Sequence, residues 1–225
     1  MARRTECDAS QAAQRLKVPA SAFRWARHIG LVPDPDASSW QWSRAAVEAL
    51  DADAIRAAFP GQPISGGVAA DRIAEALGTP NVFGERNVTS FVVRRFIGRR
   101  LLTELSANDG SLLHPDQVAE VCRRTDRAEL VAADTPLGPA QAAKRLGVRR
   151  TDFDWMLRLK WIKPAEVIEV RFGTSRFGTE DVALYTTQSV DALAARSEVD
   201  WDQLRSIPKG RRSPLAALSK KATAA

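Results

Sequence analysis

The feature that most constrains this chain is an internal repeat. The stretch QAAQRLKVPASAFRWARHIGLV at 11–32 returns 130 positions later as QAAKRLGVRRTDFDWMLRLKWI at 141–162. The identical pairs start with Gln11 and Gln141 and extend to Trp25 and Trp155. Self-similarity at a fixed spacing indicates a repeated supersecondary unit, so the fold is expected to be built from copies of one small unit.

A third and weaker copy lies between the two strong ones. RIAEALG at 72–78 matches QAAKRLG at 141–147, and FVVRRFIG at 91–98 matches FRWARHIG at 23–30. In this alignment the middle copy holds seven extra residues, roughly TPNVFGE, in its turn.

Each copy has the pattern of two short helices joined by a tight turn. In the first copy Ala12, Ala13 and Leu16 recur at helical spacing, and Lys17 breaks the run. Phe23 heads the apolar face of a second, amphipathic helix. A hairpin candidate and a further helix follow in each copy, within 36–50, 106–122 and 167–185. The Asp109-Gly110 pair is the turn signal of the second hairpin. The third helices are expected to start after Ser43, His114 and Gly178-Thr179.

The motifs carry a family resemblance. Through AAxxLxV at 12–18 and RWxxxIGL at 24–31, the first copy resembles the winged helix-turn-helix of MerR-type regulators and phage excisionases. The third copy departs at Lys160-Trp161, where that family typically has Gly-Leu. No coiled-coil heptad and no effector domain follows any copy, so a dimeric ligand-sensing activator is not expected.

The resemblance implies a mainly α-helical fold with short β-hairpin wings. The expected domains are three tandem winged helix-turn-helix units at 8–58, 66–128 and 135–200, followed by a basic C-terminal tail at 201–225.

The resemblance also implies which residues contact DNA. The second helix of each unit is expected to enter the major groove, with its N-terminal side chains near the base edges, and the wings to contact the minor groove or phosphates. The candidate DNA-binding residues are Ser21, Arg24, Arg27 and His28 in the first copy; Asn87, Thr89, Arg94, Arg95 and Arg99 in the middle copy; Arg149, Arg150, Thr151 and Arg158 in the third; Arg171 and Arg176 in its wing; and Arg211 and Arg212 in the tail.

Charge placement fits placed contacts better than nonspecific attraction. The net charge is +6, yet the three predicted units carry six basic and six acidic, nine and eight, and ten and nine side chains. The excess lies in Arg3, Arg4 and the segment 201–225, which has six basic residues against Asp202. The motif KGRRSP at 209–214 is interpreted either as a minor-groove arm or as a disordered tail.

Several residues have a structural interpretation instead. Phe23, Trp25, Phe153 and Trp155 are predicted to be core residues, and His114 a helix cap. Trp40 and Trp42 are expected to pin the first wing to the core. Arg94, Arg95 and their neighbours could also form a solvated face.

Other functional classes have little support in the sequence. The glycines form no phosphate loop, no acid pair accompanies a base, and no metal-ligand cluster is present, so neither an enzyme, a metal nor a cofactor is expected. Cys7 and Cys122 are expected to be reduced. No apolar run approaches the roughly 20 residues that span a bilayer, and the N-terminus lacks the apolar core of a signal peptide.

The sequence therefore predicts a sequence-specific DNA-binding protein, a transcriptional regulator or an architectural or recombination factor, acting in the cytoplasm at the bacterial nucleoid. Its 26 arginines against seven lysines are typical of a GC-rich genome. One chain is expected to bind as a monomer to a long asymmetric site in double-stranded DNA. The alternative is a protein docking module built on winged helices that binds DNA weakly or not at all.

Overall fold

The structure is a computed structural model that describes residues 6–59, 61–83, 86–106, 111–171, 179–208 and 210–222. It is mainly helical with small antiparallel sheets, which confirms the expected composition of the fold. The chain divides into two compact units, Met1–Arg127 and Ala128–Ala225. The first two copies belong to the first unit, and the third copy and the tail to the second. None of the described helices is long and apolar enough to cross a membrane.

The first copy runs strand, helix, helix, strand, helix. Its elements are β1 (Glu6–Cys7), α1 (Ala9–Leu16), α2 (Ala20–His28), β2 (Trp42–Ser43) and α3 (Arg44–Glu48), and α4 (Ala52–Ala58) follows. The hairpin predicted within 36–50 is wrong, because β2 pairs antiparallel with β1, which precedes the helices. Before β2 the chain makes a short turn, in which Ala37 N donates to Gln41 O at 3.1 Å, and residues 29–41 form no strand.

The second copy has the same element order. Its elements are β3 (Ile64–Ser65), α5 (Gly66–Ala76), α6 (Ser90–Gly98), β4 (Leu112–Leu113) and α7 (Pro115–Arg123), and α8 (Arg127–Asp134) follows. Strand β4 pairs antiparallel with β3, again a strand that precedes the helix pair. The predicted Asp109-Gly110 turn lies outside the described residues.

The third copy repeats this order and adds one strand. Its elements are β5 (Pro136–Leu137), α9 (Pro139–Leu146), α10 (Arg150–Arg158), β6 (Glu166–Arg171), β7 (Thr179–Thr186) and α11 (Thr187–Ala194). Strand β7 is central and pairs antiparallel with β5 and with β6, from Glu166↔Leu184 to Arg171↔Thr179. The strand pairing expected within 167–185 is therefore confirmed.

Two of the three predicted starts of the third helices are confirmed. The Ser43 hydroxyl accepts from Ala46 N at 3.2 Å, and His114 Nδ1 accepts from Asp116 N at 3.1 Å. The start predicted after Thr179 is wrong, because the residues from Thr179 onward satisfy their backbone groups in β7. The cap is Thr186, whose hydroxyl accepts from Ser189 N at 3.1 Å.

Local capping explains where the first helix of each strong copy begins and ends. The Asp8 carboxylate accepts from Gln11 N at 2.9 Å, while Gln11 Oε1 accepts from Asp8 N at 3.0 Å, which is a capping box. At the C-terminal end Lys17 and Gly147 adopt left-handed backbone conformations, with φ of 55° and 70°. The chain break predicted at Lys17 is confirmed, and Gly147 makes the same break in the third copy.

The middle copy is aligned differently from the sequence prediction. At the end of α6, Leu101 N donates to Phe96 O at 2.9 Å, as Leu31 N donates to Ala26 O at 2.8 Å after α2. Phe96 therefore corresponds to Ala26, and the predicted match of FVVRRFIG to FRWARHIG is two residues out of register. Ile97-Gly98 therefore does not occupy the position of Ile29-Gly30. The left-handed residue after α2 is Gly30, whereas the left-handed residue after α6 is Arg100, with φ of 61°.

The corrected register also changes the length of the turn. Gly78 and the start of α6 at Ser90 are 12 positions apart, whereas Gly147 and the start of α10 at Arg150 are three apart. The middle copy thus carries nine extra residues in its turn, instead of seven.

The first and third copies each have a hydrophobic core that contains a T-shaped aromatic pair. In the first unit the rings of Phe23 and Trp42 lie 5.3 Å apart, and in the second the rings of Phe153 and Tyr185 lie 5.2 Å apart. All four are buried, which confirms the core prediction for the two phenylalanines.

Trp40 and Trp42 were both expected to pack into the core, and only Trp42 does. Trp42 is fully buried and its Nε1 donates to Pro33 O at 2.9 Å. Trp40 is 58% exposed, so its predicted role in the core is wrong. Trp40 lies within the turn at 37–41, which is closed by hydrogen bonds from Ala37 N and Ser38 N to Gln41 O.

The C-terminal segment is folded onto the second unit, where an arm or a disordered tail was expected. It contains α12 (Trp201–Ser206) and α13 (Leu215–Ala222). Leu204 and Leu215 are buried in the same core as Phe153. Burial of these apolar side chains outweighs the tendency of the neighbouring cations to stay solvated.

Candidate nucleic-acid interface

Helix α10 presents the most open of the predicted DNA-contacting faces. Arg150 and Thr151 are exposed at its N-terminal end, and Arg150 forms an ion pair with Asp154 one turn on. Arg158 is exposed at the other end, with its guanidinium 4.7 Å from the centroid of the Trp155 ring. The helix thus offers cations and a hydroxyl at positions that a groove could reach.

Arg149 is a structural residue, although it was predicted to contact DNA. Its Nε and Nη2 donate to the two carboxylate oxygens of Asp152 at 2.7 and 2.8 Å. Its Nη1 donates to the backbone oxygens of Pro208 and Arg211, both at 2.8 Å. The side chain is largely buried and ties the C-terminal segment to the start of α10. Its donors are therefore engaged within the protein.

Asp152 is the buried centre of this network. Burial by itself raises the pKa of its carboxyl, but hydrogen bonds from Arg149 and Ser213 outweigh burial and hold the pKa below its ordinary value. The carboxylate is therefore ionised at neutral pH and stabilises the arginine that holds the segment.

The C-terminal arginines lie near the N-terminal end of α10. Arg211 and Arg212 are exposed and line a cavity with Arg150 and Trp155. Trp155 was predicted to be core but is only partly buried, because one part of its ring faces this cavity.

In the first copy α2 packs against the second copy. The Trp25 ring lies 4.0 Å from the ring of His114, which also contacts Phe59 at 4.8 Å. His28 Nε2 lies 3.4 Å from Nε2 of Gln117 on α7. The prediction that Trp25 is core is confirmed only in part, since it packs at a boundary between two copies and not inside one.

The two arginines of α2 also lie at the boundary between the first and second copies. Arg24 and Arg27 line a cavity together with Thr103 and Glu104 of the second copy. Arg27 pairs with Asp34 at 3.3 Å and its guanidinium lies 5.2 Å from the Trp42 ring. The side chain of Ser21 is half-buried. Ser21 and Arg24 are thus half-buried, while Arg27 and His28 are exposed but contact neighbouring residues of the protein.

In the middle copy the candidates divide into turn residues and helix residues. Asn87 Nδ2 donates to the backbone oxygen of Thr79 at 3.2 Å and so closes the long turn. Thr89 is the N-cap of α6, with its hydroxyl buried. Arg94 is exposed on α6, and Arg95 and Arg99 are half-buried beside it. The helix residues are the better candidates for contact.

The wing candidates of the third copy are only partly covered by the structure. Arg171 ends β6, opposite Thr179. Arg176 lies outside the described residues.

Sequence reasoning missed the internal partners. The three-residue spacing of Arg149 and Asp152 within a helical turn is a signal for an ion pair that could have been found. The approach of His114 to Trp25 has no local signal, because 89 residues separate them in the chain.

In the described ranges, no group of three or more His, Cys, Asp or Glu side chains is placed to hold a metal ion. Both cysteines are free. No protein-family model, curated protein or solved structure matches the chain. The resemblance to MerR-type regulators and excisionases accordingly stays a prediction.

Proposed function

We propose that this protein is a sequence-specific binder of double-stranded DNA, built from three helix-turn-helix units, of which the third carries the paired strands β6 and β7 as a wing. It acts as a transcriptional regulator or as an architectural or recombination factor of the nucleoid. The order strand, helix, helix, strand, helix recurs three times, and in each copy the third helix packs against the first. This is the arrangement expected of a small module that positions its second helix for a groove.

The observation that carries the proposal is the surroundings of α10. Arg150, Thr151 and Arg158 are exposed along the helix, and Arg211 and Arg212 stand near its start. Arginine is the side chain best suited to bidentate contact with guanine and with phosphate.

We assign the contacts with DNA base edges to α10 and α6, and we assign α2 a different role. Helix α2 directs Trp25 and His28 at the second copy, so the first copy supports the second instead of entering a groove. The expected number of inserted helices is therefore two.

A selection of bound duplexes from a random pool, followed by a variant comparison, tests the proposal. Arg150→Gln is expected to weaken binding by about 1–3 kcal/mol and to relax preference at one base pair. Arg145→Gln is the matched control. Like Arg150, Arg145 is an ion-paired arginine of the second unit, but it lies on α9 and pairs with Asp191 at 2.6 Å. Failure to enrich any sequence, or equal effects of both variants, contradicts the proposal.

The second candidate function is docking of a protein partner. It is favoured by α2, which shows that the second helix of one copy can serve as a packing surface for another. DNA binding is expected to weaken with salt, with a log–log slope of about −0.9 for each phosphate neutralised. Docking is supported instead if the chain binds no DNA duplex but forms a complex with a protein partner whose affinity does not change with salt.

A further inference from the structure

The second unit contains a cavity that the reading of base edges by α10 does not use. It encloses about 520 Å³ between the start of α10 and the C-terminal segment. Its walls are cationic, hydroxyl and aromatic side chains from both segments, with one glycine. The lining residues are Arg149, Arg150, Thr151, Trp155, Gly210, Arg211, Arg212 and Ser213.

The shape of the cavity is fixed by buried contacts. Arg149 bridges the Asp152 carboxylate and the backbone oxygens of Pro208 and Arg211. Ser213 is buried and hydrogen-bonds to Asp152. The contacts from Arg149 use the backbone oxygens of the C-terminal segment, and Arg211 and Arg212 stay exposed at the cavity.

The charge of the cavity is unbalanced. Asp152 compensates Arg149 and Asp154 compensates Arg150. Within the described part of the chain, no acidic side chain pairs with Arg211 or Arg212. Arg211 and Arg212 thus line the same cavity as a partly exposed tryptophan ring, and no anion among the described residues neutralises them.

We propose that this cavity binds the phosphate group of a nucleotide. Arg211 and Arg212 donate hydrogen bonds to the phosphate oxygens, and Trp155 lies against the attached sugar or base. Arg149 is a positioning residue that holds the segment in place. The inference rests on the proposed function in one respect: when the protein binds DNA, the phosphate belongs to the DNA backbone. A free nucleotide presents the same chemistry.

The first test measures the salt dependence of DNA binding by the full chain. The double variant Arg211→Gln/Arg212→Gln is expected to reduce the log–log slope by about 0.9 for each phosphate that the protein no longer neutralises. The control Lys144→Gln/Lys163→Gln removes two exposed cations of the same unit that do not line the cavity. A slope that changes equally in both variants, or in neither, overturns the assignment to the cavity.

The second test does not depend on DNA binding. Thymidine 5′-monophosphate and the dinucleotide pTpT are titrated into the full chain while tryptophan fluorescence is recorded. Saturable quenching is expected, and it should be abolished in Arg211→Gln/Arg212→Gln and in Trp155→Phe. All of these variants change partly or fully exposed side chains, and circular dichroism checks that they fold.

The two tests separate this inference from the proposed function. If the nucleotides bind but no duplex does, the cavity stands with a free nucleotide as its ligand, and DNA binding fails. If a duplex binds while the nucleotides do not, and the salt slope is unchanged in the double variant, the cavity proposal is overturned and DNA binding stands.

Discussion

The same two backbone positions of the repeat are left-handed in all three copies, whatever residue occupies them. After the first helix these are Lys17, Gly78 and Gly147, and after the second they are Gly30, Arg100 and Lys160. A non-glycine residue in this region is strained by roughly 1–2 kcal/mol because its Cβ approaches the following carbonyl. Three of the six positions therefore carry backbone strain.

Replacing Lys17 with glycine is expected to stabilise the first unit. Relief of the strain at φ of 55° exceeds the extra entropy that glycine gains in the unfolded chain, so the expected gain is roughly 0.5–1 kcal/mol. Urea denaturation of the full chain measures it. The control Lys17→Ala also removes the lysine side chain but keeps a Cβ, and it should give no such gain. Equal stabilities of the two variants contradict the explanation.

The imidazole ring of His114 has two structural roles: it caps helix α7 and it forms a contact between the first and second copies. Burial lowers the pKa of its imidazole, and the nearby charges of Asp116 and Glu120 only partly oppose that effect. The neutral ring is needed because Nδ1 must accept from Asp116 N. A proton on Nδ1 removes that acceptor.

The stability of the first unit is therefore expected to depend on pH. Since the folded pKa of His114 lies below its ordinary value of about 6.5, the unfolded chain takes up the proton first. The contribution is complete above about pH 6.5 and is lost as pH falls below it. Urea midpoints measured above and below this value should show the loss. In His114→Asn, which keeps a cap acceptor but cannot titrate here, the pH dependence should flatten; an unchanged profile rules out His114 as its source.

At the level of elements, the sequence predicts a helix boundary where the capping residues lie next to the helix in the chain. The Asp8–Gln11 capping box and the Ser43 cap could be predicted from spacing alone. The start of α11 could not, because Thr179 and Thr186 both suit a cap, and the choice depends on the pairing of β7 with β6. Hydrogen bonds between strands decided the boundary.

Helix α13 is expected to be part of the second unit's stability. Leu215 is buried against the core, so Leu215→Ala should destabilise the unit by about 2–5 kcal/mol. Leu218→Ala is the control on the same helix, since Leu218 is 38% exposed and its truncation should cost much less. Thermal denaturation followed by circular dichroism compares them. Similar melting temperatures for both variants would show that α13 does not pack on the core through Leu215.

For the whole molecule, we propose fewer DNA-reading faces than there are repeated copies. The rings of Trp25, His114 and Phe59 are packed together, so the first two copies form one compact unit in which α2 packs against its neighbour. Gln117 Nε2 near His28 Nε2 closes the same boundary. The proposed DNA contacts then come from one helix in each unit.

The footprint on DNA is accordingly expected to cover about two helical turns, roughly 20 base pairs, since each inserted helix occupies about one turn. Hydroxyl-radical footprinting of the full chain on its selected site measures this length. Arg94→Gln should weaken protection in one turn and Arg150→Gln in the other, while His28→Gln, at the boundary between copies, should alter neither. Three protected turns would show that α2 also enters a groove.

The repeat, the two helices of each copy and the left-handed break between them follow from residues close together in the chain. Spacing of apolar residues, caps and turn residues acts over a few positions, so those features could be predicted before any contact was known. The packing of α2 and the folding of the C-terminal segment onto α10 depend instead on contacts such as Trp25 with His114 and Arg149 with Arg211, whose partners are 89 and 62 positions apart. Such contacts form only once the copies have packed, because burial of Leu204, Leu215 and the His114 ring is a property of the assembled core and leaves no periodic trace in the chain.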